Sequence, residues 1–168
     1  MKRGGVRVSE YIPRYIDKDA WKAINIVIRS YPKMYVELAE QERDILYGTP
    51  QKQEGGHSGY VGNPTEAKAM KLYSARREKL QRECDAVTKC LEMLVPEHYR
   101  MVCLRFWGVE NTEKAFYRAK HHIKLRGMKY QTAWYEETAP DKAGYSVSTA
   151  KGIVRGFIAL VGKEIGEI

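Results

Sequence analysis

Apolar positions recur along much of the chain at three- and four-residue intervals, the spacing that lines one face of an α-helix. From Asp17 onward, Trp21, Ile24, Val27, Ile28 and Tyr31 follow it. Tyr31-Pro32 is predicted to close that helix, because proline disfavours helical geometry in its predecessor and fits a first helical turn. A second helix is then expected from about Pro32 to Tyr47, with Tyr35, Leu38, Ile45 and Leu46 on its apolar side. The two would meet at an angle.

Residues 48–62 hold Gly48, Pro50, Gly55, Gly56, Gly59 and Gly62, a density of breakers that predicts a flexible connector. No Gly-Lys-Ser/Thr follows, so the stretch is not read as a phosphate-cradling loop. Asn63-Pro64-Thr65-Glu66 has the form of a helix start, with a capping residue, a first-turn proline and an acid placed for a capping box. A long central helix over about 64–95 should follow. Along it Met70, Tyr73, Arg77, Leu80, Cys84, Val87, Leu91 and Leu94 form a seam of period 3.5, interrupted by Arg77. The seam must be covered, either by the first two helices or by a second copy of the chain in a homodimer. Pro96 opens a further helix that ends at Gly108, where glycine favours termination.

The last part repeats helix, glycine-containing turn, helix: Gln131 to Ala143, Gly144-Tyr145, then a helix capped by Ser146 and running through Ile165. In that last helix Ala150, Ile153, Val154, Phe157, Ile158 and Val161 form the inward stripe. Ser148, Thr149, Lys151, Gly152 and Arg155 lie on the other face. The fold class expected is all-α: a helical body with a long central helix, plus a C-terminal helix-turn-helix. Its parts are a basic flexible arm at 1–16, the body at 17–108, a basic insertion at 109–130, and the helix-turn-helix region at 131–168.

Charge adds a partner class. Against 21 Asp+Glu the 168 residues carry 29 Lys+Arg, a formal net charge of +8, which favours a polyanion such as DNA, RNA or anionic lipid. The most basic stretch is 114–130, with Lys114, Arg118, Lys120, Lys124, Arg126 and Lys129 and no acid. On the last helix, hydroxyls near the start and the cations Lys151 and Arg155 suit base edges and phosphates. Gly152 would admit a close approach by a nucleic-acid backbone; alternatively Gly152 and Gly156, four apart, serve close helix packing.

Other classes fit poorly. No apolar run reaches the roughly 18 residues of a membrane span, and no secretory h-region opens the chain, so a protein retained in the cytoplasm is expected. The three cysteines lack Cys-x-x-Cys spacing and read as buried thiols. His57, His98, His121 and His122 make no metal-spaced set, and no strand-turn-helix places a nucleophile, so neither an enzyme nor a cofactor is expected. His98 reads as a surface residue near a helix start.

Asn63-Pro64-Thr65-Glu66-Ala67-Lys68-Ala69, the long helix after it, Phe106-Trp107, and Gly144-Tyr145-Ser146-Val147-Ser148-Thr149-Ala150 together resemble the RinA/ArpU group of phage late-gene transcriptional regulators. The likeness spans roughly residues 17–107 and 131–168. It implies a C-terminal helix-turn-helix similar to sigma-factor region 4, with Ser146, Ser148, Thr149, Lys151 and Arg155 on a recognition helix in the major groove. It further implies activation of late genes in a bacterial host through contact with host RNA polymerase. Lys120, Lys124, Arg126 and Lys129 are secondary candidates for DNA contact. Pro140 in the motif's first helix and the length of 109–130 depart from the family pattern. Two other readings are a small terminase-like packaging protein and a helical protein-interaction module without specific DNA binding.

Overall fold

The computed structural model describes residues 16–47, 64–125, 127 and 147–168. Within them the chain is all-α: α1 (Lys18–Tyr47), α2 (Pro64–Glu92), α3 (Pro96–Trp107), α4 (Thr112–Lys120) and α5 (Val147–Ile165), with no strand among the described residues. The arm, the connector and the expected helix 131–143 with its Gly144-Tyr145 turn lie outside the described residues, as do Asn63, Arg126, Lys129 and Ser146.

The first correction concerns α1. Instead of two helices meeting at Pro32, one helix of 30 residues runs through it, opened by Asp17, whose carboxylate accepts from the backbone N–H groups of Asp19 (2.9 Å) and Ala20 (3.4 Å). A proline inside a helix has no N–H for the carbonyl four residues back and normally breaks the helix. Here the carbonyl freed is that of Ile28, and the buried indole Nε1–H of Trp107 donates to it at 3.0 Å. Pro32 is itself fully buried, and Tyr31 lies against the indole with ring centroids 5.5 Å apart. The lost backbone bond is thus replaced by one from α3, and the helix continues.

Gly108 makes this possible. It ends α3 in the left-handed region (φ 66°), its N–H donating to Leu104 at 3.0 Å, so Trp107 is the last helical residue before the chain turns. The next helix begins at Asn111, whose side chain accepts from the Lys114 N–H at 2.9 Å. Tyr99 of α3 is within 2.9 Å of the Thr112 hydroxyl and accepts from the Thr112 N–H at 3.0 Å. At its other end α4 closes with His122 N–H donating to Ala119 and Ile123 N–H to Arg118, a Schellman arrangement whose left-handed residue is His122 (φ 55°). Glycine is usual there, and a side chain in that conformation costs roughly 1–2 kcal/mol. The same arrangement closes α5, where Glu167 N–H reaches Gly162 and the left-handed residue is Gly166 (φ 80°).

One main core joins all these elements. Ile24, Ile28, Tyr31, Met34 and Leu38 of α1 meet Cys84, Val87, Cys90 and Leu91 of α2, Val102, Phe106 and Trp107 of α3, Ala115 of α4, and Phe157, Ile158 and Val161 of α5. The inner seam of α2 is therefore covered within the chain from Leu80 to Leu94, by α1 and α5. From Gly156 to Gly162 every residue of α5 is buried, which makes its second half a central helix rather than a surface one. At Gly162 an added Cβ would lie 2.5 Å from Ile24 Cδ1, so glycine there lets α5 cross α1 closely. His98 is a further correction: it is buried, because on α3 it shares a face with Met101 and Val102, three and four positions on.

The Trp107 bond yields a double-mutant test. Trp107→Phe should destabilise the fold by about 1–3 kcal/mol for the orphaned Ile28 carbonyl alone. In a Pro32→Ala background residue 32 regains an N–H, and the same replacement should cost less. Urea unfolding of the four proteins measures the coupling; additive effects would overturn this account.

Candidate nucleic-acid interface

The first half of α5 differs from the second. Its inner side is held by a small cluster, Ala150 and Ile153 against Met101 of α3, from which Val154 and Phe157 lead into the main core. Its outer side is exposed at Ser148, Thr149, Lys151 and Arg155, with Gly152 half-buried among them. Positions 148, 151, 152 and 155 are spaced i, i+3, i+4 and i+7 and so share one face, with Thr149 at its edge. The helix has no acid in its first turn, and its first acid anywhere is Glu164. The buried second half thus anchors a short presented face carrying two hydroxyls and two cations.

Gly152 distinguishes the two roles considered for it. An added Cβ there would meet nothing within 4 Å among the described residues, so packing against α1 to α4 as described does not require this glycine. Helix propensity argues against it as well, since glycine in a helix interior is about 1 kcal/mol worse than alanine.

The remaining sequence candidates gather elsewhere or lie outside the described residues. Lys120 is exposed in the last turn of α4. Lys124 lines a groove shared with Arg29 and Lys33 of α1, and none of the groove's lining residues belongs to α5. Arg29 and Lys33 are not among the residues that the sequence pattern singled out. Their signal was present, however, because Lys18, Lys22, Arg29 and Lys33 follow one another at 4, 7 and 4 residues, the outer face of one helix.

Two ion-pair groups join elements away from this face. Lys89 donates to Glu164 at 2.7 Å, tying α2 to the end of α5, and this partner raises the Lys89 pKa. Lys114 bonds Glu110 at 2.5 Å, with Arg100 3.9 Å away, and together they hold the Glu110 carboxyl below its usual range. Among the described residues no group of three or more His, Cys, Asp or Glu side chains is placed to hold a metal ion, and no helix is long and apolar enough to cross a membrane.

The thiols have no nucleophilic character. Cys84, Cys90 and Cys103 are buried and unpaired with one another. Burial pushes them from an ordinary 9.0 to about 11, about 12 and about 12 respectively. Burial likewise lifts the Tyr31 hydroxyl from 10.0 to about 12, partly opposed by its bond to Thr88. Above pH 9 the unfolded chain loses these protons before the folded one does, so stability is retained below that pH and falls as pH rises towards 12. The urea midpoint should therefore decline across that window. A thiol reagent at about pH 8 should leave the native protein unlabelled and modify all three cysteines once urea unfolds it; rapid native labelling would contradict the burial. Comparison of the chain with family models, with curated proteins and with solved structures gives no match.

Proposed function

We propose that this protein binds duplex DNA through the exposed face of α5 and regulates transcription in a sequence-specific way. The observation that carries the reading is Gly152. It is a helix-interior glycine that no packing contact among the described residues requires, and it is flanked on its own face by Ser148, Lys151 and Arg155. A helix laid in the major groove brings its backbone close to the DNA, and there a missing Cβ is useful. Lys151 and Arg155 then meet phosphate oxygens or guanine edges, while Ser148 and Thr149 donate near the helix start.

The resemblance to RinA/ArpU regulators gives the reading its finer form: activation of phage late genes for packaging, morphogenesis and lysis, through contact with host RNA polymerase. In that form Ser146 and Gly144-Tyr145 belong to the turn that precedes the recognition helix.

Selection of bound duplexes from a random pool, followed by affinity measurements with the winner, tests the proposal. An enriched motif should bind at least ~10³-fold more tightly than scrambled DNA. Gly152→Ala should raise thermal stability, since alanine is about 1 kcal/mol better in a helix, and yet weaken DNA binding. Arg155→Ala should cost about 1–3 kcal/mol of binding, with relaxed specificity at one base pair if it reads guanine. Full binding by a Lys151→Ala/Arg155→Ala double variant would overturn the assignment. A ring of many subunits in solution would favour a packaging role instead.

A further inference from the structure

Between α1 and the turn after α4 runs a groove of about 790 Å³ whose lining is polarised along α1. Arg29 and Lys33 stand at one end and Glu37 and Glu40 at the other, all on one side of the helix. His122 and Lys124 line it from the opposite wall. Glu37 is already engaged, by Arg76 at 3.2 Å and by Gln41 at 3.3 Å, whereas neither Arg29, Lys33 nor Lys124 forms an ion pair among the described residues. The basic end continues along the exposed face of α1 through Lys22 and Lys18, with Lys22 bonded to Asp19 at 3.1 Å. At 1.5 Å per residue these cations extend over about 23 Å, from Lys18 to Lys33.

His122 is the second observation. It holds the left-handed position of the α4 terminus, φ 55°, where glycine would be relaxed and where glycine does stand at the matching end of α5. Local structure therefore disfavours a side chain at 122, yet an imidazole is present and lines the groove beside Lys124. Strain retained at one residue of a charged groove points to use of that side chain.

We propose that the cationic lining of this groove, Arg29, Lys33, His122 and Lys124, holds the phosphodiester backbone of a nucleic acid as a contact separate from α5. The inference deepens the DNA reading and rests on it for the identity of the polyanion. Arg29, Lys33 and Lys124 neutralise phosphates, and the imidazole donates an N–H to a phosphate oxygen. A recessed groove with acids at its far end admits a strand of backbone and excludes a planar bilayer. In this role the side chains meet backbone phosphates, a contact that adds affinity and orientation without sequence preference.

The test compares the full chain with an Arg29→Gln/Lys33→Gln/Lys124→Gln variant, with His122→Gly, and with Lys151→Ala/Arg155→Ala, on one random-sequence duplex across a salt series. The triple variant should bind about tenfold or more weakly at 0.1 M salt, and its slope of log K against log salt should be shallower by about 2–3. His122→Gly should melt at a higher temperature than the wild type and bind more weakly, a combination that a purely structural histidine would not give. Unchanged affinity and slope in the triple variant would overturn the groove while leaving the α5 reading intact. Loss in the triple variant with none in Lys151→Ala/Arg155→Ala would support the groove and remove α5. Vesicles of phosphatidylserine and phosphatidylcholine form the control arm; a triple variant that loses vesicle binding and keeps duplex binding would also overturn the proposal.

Discussion

The architecture depends on one buried hydrogen bond between elements far apart in sequence. Pro32 leaves the Ile28 carbonyl without its helical donor, and the Trp107 indole supplies one from the end of α3. A buried carbonyl without a partner is costly, so α1 and α3 must dock in one register for either to be satisfied. That register places Tyr31 against the indole ring, and Tyr31 in turn lies within 5.5 Å of Phe116 of α4, by ring centroids. Phe116 stacks on Tyr35 at 3.9 Å, so the position of α4 follows from the same docking. The groove between α1 and the end of α4 exists because of it.

The last helix resolves two demands by dividing them along its length. Its second half is buried against the other helices, and Gly162 leaves room there for the Ile24 side chain of α1. Rigid support of this kind keeps the exposed first half in place, because a short helix alone is marginal in water. Among the described residues the first half is held by Met101 under Ala150 and Ile153 and by Val154 in the main core, which leaves the side bearing Lys151 and Arg155 exposed.

Much of this was legible from periodicity, and the failures share a cause. The start of α2 at Pro64, the span from Pro96 to Gly108 and the inward stripe of α5 are local patterns, and the structure keeps them. The seam from Cys84 to Leu94 is buried at each expected position for the same reason. Pro32 was misread because the donor that rescues its helix lies 79 residues from the Ile28 carbonyl it serves, where no local pattern reports it. His98 was misread from its polarity, although its phase with Met101 and Val102 already placed it inward. The run Gly156-Phe157-Ile158-Ala159-Leu160-Val161-Gly162 is apolar all round and could have marked α5 as central. At the candidate site, the division of α5 into exposed and inward residues was legible. The groove was not, since it needs the docking of α4 on α1.

Two residues stand against their local preference, and they do so in opposite directions. Gly152 lies inside a helix, where alanine is better, and among the described residues meets no neighbour that requires its small size. His122 lies in a left-handed turn, where glycine is better. Neither is explained by stability, since the favoured residue at each position would relax the fold. Sequences agree with their structures at most levels, and exceptions concentrate where function imposes its own demand. Each of these exceptions falls on a different cationic surface, Gly152 beside Lys151 and Arg155, His122 beside Lys124, Arg29 and Lys33. Under the proposed reading, a small residue where a backbone would approach and a donor where a phosphate would sit are complementary needs of one polyanionic partner. That correspondence ties the two surfaces together more firmly than net charge does, because a surplus of cations would be served equally well by any placement of lysine and arginine.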